Sequence, residues 1–143
     1  MTPHPELQAI KHSFMAYRNG IVADTLRKAG APYGVIFGLQ LPQLGDIARS
    51  QIPSADLARE LWNDRNVRES RLLAAWLFPV GDLEYDEALG MATDVLTREE
   101  ADILAFRLLR RLPYAPQLAE TLLNASGTLP RYAGEALRRN LTS

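Results

Sequence analysis

Leucine, alanine and aromatic residues recur at spacings of three and four along most of this chain, the mark of helices that bury one face. The clearest stretch covers residues 54–78. Leu57, Ala58, Leu61 and Trp62 share one helical face, and Leu72, Leu73, Trp76 and Leu77 repeat it on the next helix. The polar joint Asn63-Asp64-Arg65-Asn66 lies between them, so the pair reads as a helix hairpin.

Upstream, Leu7, Ile10, Phe14 and Tyr17 predict a first helix that enters after Pro3 and Pro5 and stops near Asn19-Gly20. A short second helix carries Val22, Ala23 and Leu26 and stops at Gly30. Residues 31–41 hold Pro32, Gly34 and Gly38 around Val35-Ile36-Phe37. That triplet has strand-like periodicity but no partner strand, so it reads as a buried connecting loop. A third helix is expected over 42–50, with Pro42 in its first turn, where the missing N–H has no partner to lose.

Hairpins then repeat. First helices are expected at 54–62, 85–95 and 115–124, and their pairs Leu57-Ala58, Ala88-Leu89 and Leu118-Ala119 come about thirty residues apart, near the helical-repeat range. Second helices are expected at 67–78, 98–112 and 130–141, with Pro79 and Pro113 ending the first two. Thr97 and Glu100 match a capping box. Glu99, Glu100 and Asp102 suit the positive end of that helix. Stacked hairpins of this kind predict an all-α fold: a short right-handed α-solenoid of HEAT-like repeats, about four hairpins in one domain over 1–143.

Composition adds boundaries. The chain has 143 residues, 47% hydrophobic and 23% charged, enough for a core. Its net charge of −1 provides no global field to recruit nucleic acid. The absence of cysteine excludes disulfides and thiolate metal sites. The first residues lack a signal-peptide pattern and no apolar run is long enough for a membrane span, so a cytoplasmic protein without a membrane partner is expected.

Candidate chemistry is sparse. Trp62 and Trp76 could stack on a base, but both lie in apolar stripes, where core packing is the default. Asp64 could be a catalytic carboxylate; its place in a polar joint suits a helix cap better. Asp82, Glu84, Asp86 and Glu87 lack the glycine and spacing of a calcium loop. His4 and His12 lack a third zinc ligand, and His12-Ser13 is adjacency rather than a triad. Gly30, Gly34 and Gly38 are not followed by the Lys-Ser/Thr of a phosphate loop. No metal or cofactor is therefore expected. The arginines stand out. Arg68 and Arg71, then Arg107, Arg110 and Arg111, then Arg131, Arg138 and Arg139 lie opposite the leucines of the three second helices. If the repeats stack in register, these sets form a basic ladder that would neutralise phosphates.

The pattern resembles the HEAT-like-repeat DNA alkylation repair family, which includes alkylpurine-DNA glycosylases. The residues that carry the resemblance are His4-Pro5, Phe14, Ala16, Asn19, the turn Gly38-Leu39-Gln40-Leu41-Pro42, and Glu60-Leu61-Trp62 followed by Arg-Glu and a Leu/Ala-rich run. It covers roughly the whole chain. It implies an α-solenoid with a nucleic-acid-binding face. The family's glycosylases are longer and carry a Trp-Trp-Asp element that nothing here matches, so no catalytic residue carries over. The expectation is a non-catalytic relative that binds DNA or another anionic partner through Arg68, Arg71, Arg107, Arg110, Arg111 and Arg138. The alternatives are a helical scaffold for a protein partner or a second copy of the chain, and a glycosylase with a rearranged site.

Overall fold

Nine α-helices and no strand form along residues 5–142, which the computed structural model describes. His4 lies outside the described residues. The all-α expectation holds. The chain divides after Phe78 into two compact units.

The first unit holds α1 (Pro5–Ala16), α2 (Gly20–Lys28), α3 (Leu41–Arg49), α4 (Ala55–Asn63) and α5 (Arg68–Leu77). Local chemistry sets their starts. Asn19 is more than a stop for α1: its Oδ1 accepts from the backbone N–H groups of Ile21 and Val22 at 3.1 and 3.2 Å and caps α2. Ser54 Oγ accepts from Leu57 N–H at the start of α4. Pro42 stands in the first turn of α3 as expected. The hairpin of α4 and α5 is closely packed, with α1 against α4 and α3 against α5. Leu57, Leu61, Leu72 and Leu73 are buried, as are Leu7, Ile10 and Phe14 of α1. Trp76 is half-buried. Tyr17 is exposed, because α1 ends before it and its stripe is not continued.

Residues 35–37 make no strand. Val35 forms a single bridge with Val67: Val35 N–H donates to Asn66 O at 2.9 Å, and Arg68 N–H donates to Val35 O at 3.2 Å. Asn66 Oδ1 also accepts from Gly34 N–H at 2.8 Å. The loop is thus tied to the α4–α5 joint. Gly38 turns it with φ of 87°, the left-handed region that glycine enters most readily.

The second unit holds α6 (Tyr85–Thr93), α7 (Arg98–Arg107), α8 (Ala115–Leu123) and α9 (Thr128–Thr142). Short 3₁₀ turns lie at Val80–Asp82 and Leu109–Arg111. Helices α8 and α9 are closely packed, α7 runs against α9, and α6 meets α8 and α9. Thr97 Oγ1 accepts from Glu100 N–H at 3.0 Å, and the buried Glu100 carboxylate accepts from Leu96 N–H at 2.9 Å. The helix expected over 98–112 is broken. It ends at Arg107, where Leu108 leaves helical geometry, and the chain tightens to 3₁₀ before Pro113. Buried Leu104, Leu108, Leu109 and Leu122 form the core, as their stripes imply.

Candidate functional site

The start of α5 gathers charged residues inside the protein. Arg68, Glu69, Ser70 and Arg71 are all buried, Arg71 to 1% exposure. The Glu69 carboxylate accepts from three successive backbone N–H groups: Phe37 at 3.0 Å, Gly38 at 3.0 Å and Leu39 at 3.3 Å. The positive φ at Gly38 helps to converge these N–H groups into an anion-binding nest, and Glu69 occupies it. Arg68 Nη1 pairs with Glu69 Oε2 at 2.6 Å and donates to Leu39 O at 3.0 Å. Arg71 donates to Trp62 O at 2.8 Å and lies 3.5 Å from the centre of the Trp62 ring, so cation and π face satisfy each other away from water.

These contacts correct the expected ladder. Arg68 and Arg71 do not lie on an exposed face, because the loop through residues 34–39 and the neighbouring helices cover the polar side of α5. Trp62 is buried with a guanidinium against its ring. Asp64 does not cap α5 through its side chain. Its Oδ2 accepts from Ser70 Oγ at 2.8 Å and pairs with Lys11 Nζ at 3.0 Å. Lys11 and the exposed His12 line a shallow groove of about 370 Å³ with Leu7, Gln8, Met15 and Phe37. Among the described residues no group of three or more His, Asp or Glu side chains gathers as a metal site, and no helix is long and apolar enough to cross a membrane.

The second unit keeps its arginines at the surface. Arg107, Arg110 and Arg111 are exposed where α7 gives way to the 3₁₀ turn. Once the helix breaks, the carbonyls of Phe106 and Arg107 lose their helical donors. Arg110 Nε donates to Phe106 O at 2.6 Å and Arg111 Nη1 to Arg107 O at 3.2 Å, so both cations also stabilise the negative end of α7. Among the described residues the guanidiniums of Arg110 and Arg111 meet carbonyls rather than carboxylates.

The Phe106 ring is 44% exposed, with Arg110 Cζ 4.3 Å and Arg107 Cζ 5.4 Å from its centre. The sequence reading missed this residue. Its signal was position: Ala101, Leu104, Ala105 and Leu108 are buried, and Phe106 falls on the other side of α7. Asp102 lies one turn earlier on that side and accepts from Tyr132 Oη at 2.8 and 3.0 Å. That hydrogen bond, then burial and the Asp102 charge, raise the Tyr132 pKa; Arg139 opposes them. Arg98 and Arg139 stand 5.0 and 5.7 Å from the Tyr132 ring centre.

Arg138 and Arg139, grouped together by sequence, part company on α9. Arg139 reaches Asp102 of α7 at 3.7 Å, whereas Arg138 lines a groove with Pro116, Ala119, Glu120 and Leu123 of α8. Adjacent positions on a helix point about 100° apart, which is enough to send them to different neighbours. From residue 107 onward the sequence carries six arginines (Arg107, Arg110, Arg111, Arg131, Arg138, Arg139) against two glutamates (Glu120, Glu135), so this end is locally basic despite the net charge of −1. No family model, curated protein or solved structure matches the chain.

Proposed function

We propose that this is a non-catalytic helical-repeat protein of the DNA alkylation repair type whose second unit binds the phosphate backbone of nucleic acid. The observation that carries the reading is the exposed cluster of Arg107, Arg110 and Arg111 around Phe106. Arg110 and Arg111, each held by a backbone carbonyl, are pre-ordered for an anion, and the aromatic ring gives the surface a second mode of contact. The repeat reading draws support from layering within each unit. Helix α6 meets α8 and α9, α7 meets α9, and α3 meets α5, while α4–α5 and α8–α9 each pack as a hairpin. Arg68 and Arg71 are left out of the interface, and Arg138 belongs to its margin.

The expected partner is anionic and the binding salt-dependent. Arg107→Ala combined with Arg110→Ala should weaken binding to labelled DNA of any sequence and lower the slope of log K against log salt by about 1 to 2. Unchanged binding in that double variant, measured by fluorescence anisotropy at two salt concentrations, would refute the reading. A glycosylase with a rearranged site gains little from Asp64, whose carboxylate serves Ser70 and Lys11. A scaffold role has one observation in its favour. The groove between α8 and α9, about 370 Å³, is lined by Ala119, Leu123 and Leu141. Concentration-dependent association in sedimentation experiments would move that reading to first place.

A further inference from the structure

We infer that the α7–α9 surface is a stacking track for unpaired nucleotides, so that its preferred partner is single-stranded nucleic acid; this rests on the nucleic-acid reading above. Two aromatic rings carry the inference. Phe106 has Arg107 and Arg110 beside its ring, and Tyr132 has Arg98 and Arg139. Both pairs lie in the second unit, on helices that pack against each other. Arg98, Asp102 and Phe106 follow one another at four-residue steps along α7, each step rising about 6 Å. Asp102 holds the Tyr132 hydroxyl, which ties the second ring to α7 at a position one four-residue step before Phe106. Two ring-and-guanidinium stations along one pair of packed helices suit successive bases of an extended strand, with the guanidinium planes offering further stacking faces.

Duplex DNA fits this surface less well. Its bases are already stacked on each other, so it would offer only phosphates to the rings. Asp102 also sits between the two stations and would repel a backbone laid directly across them. A single strand can turn its bases inward at this point and carry its phosphates past the exposed Arg110 and Arg111 at one edge. It thereby uses both the apolar and the cationic parts of the site.

The test uses the full chain and fluorescence anisotropy with four probes: labelled dT12, a 12-base-pair duplex, a dodecamer strand of abasic sites, and poly-glutamate as competitor. The wild-type chain should bind dT12 about tenfold or more tightly than the abasic strand, since only the bases differ. Phe106→Leu should remove most of that difference. Tyr132→Leu should do likewise, whereas Tyr132→Phe, which keeps the ring but releases it from Asp102, should retain only part of it. Equal affinity for dT12 and the abasic strand overturns the track and needs no variant to be read. Loss of DNA binding in the Arg107/Arg110 double variant together with that equality would leave the phosphate-binding reading standing alone. Binding that the double variant leaves unchanged would remove the phosphate-binding reading itself. Poly-glutamate competing as well as dT12 would overturn the inference in favour of an acidic protein partner.

Discussion

Replacing Glu69 by glutamine changes almost no volume and tests whether the first unit is organised around one carboxylate. The side chain is fully buried and accepts four hydrogen bonds, from the N–H groups of Phe37, Gly38 and Leu39 and from Arg68. Glutamine has one acceptor oxygen, so turning it toward either side leaves an NH₂ group facing a backbone donor. The variant also removes the buried ion pair between Arg68 and Glu69. Hydrogen bonds to a charged group contribute about 1.5–3 kcal/mol each, but those sharing one carboxylate are not additive. Breaking a buried ion pair from one side costs about 3–5 kcal/mol, and that range is the expectation for Glu69→Gln. Adding Arg68→Met should recover part of the loss, because the buried guanidinium that faced Glu69 is then gone. Urea unfolding followed by tryptophan fluorescence is a suitable assay, since both tryptophans, Trp62 and Trp76, belong to the first unit. The midpoint should fall with the slope m little changed. A loss below about 0.5 kcal/mol would refute the view that Glu69 holds the loop.

Three further outcomes are expected. Gly38→Val should destabilise by about 3 kcal/mol or more, because φ is 87° and a Cβ there would collide with the backbone oxygen of Asn19; retention of wild-type stability in urea would contradict this. Gly134→Ala, normally helix-stabilising, should instead cost about 1–3 kcal/mol, because its Cβ would come within 2.8 Å of Leu123 N and 2.9 Å of Leu122 Cβ where α9 crosses α8; a raised melting temperature would overturn that packing account. Tyr114 donates its hydroxyl to Leu83 O at 2.6 Å, and its pKa is raised by burial first and then by Glu84 and Glu87. Its contribution should therefore be complete below the ordinary tyrosine pKa of about 10 and decline as pH rises through the higher folded value. Tyr114→Phe should lose about 1 kcal/mol at neutral pH and show a shallower alkaline decline, read from melting temperatures between pH 8 and 11.

Sequence by itself determined where the helices lie and which side of most of them is apolar. The stripes Leu57-Leu61 and Leu72-Leu73, the turn at Gly38 and Pro42, and the cap at Thr97 are local events, and helical periodicity and turn chemistry operate within a few residues. Only the tertiary structure decided what covers the other side. On α5 the residues opposite the leucines are charged, yet a loop some thirty positions earlier and the neighbouring helices enclose them, so Arg68, Glu69 and Arg71 became an internal network. On α7 the corresponding side stays open, and Phe106 with Arg107 and Arg110 became surface. Likewise the helical turn separates Arg138 from Arg139, and the packed helices decide what each one meets. A helix's period gives the direction of each side chain about its own axis, whereas burial depends on which distant segments pack around that axis.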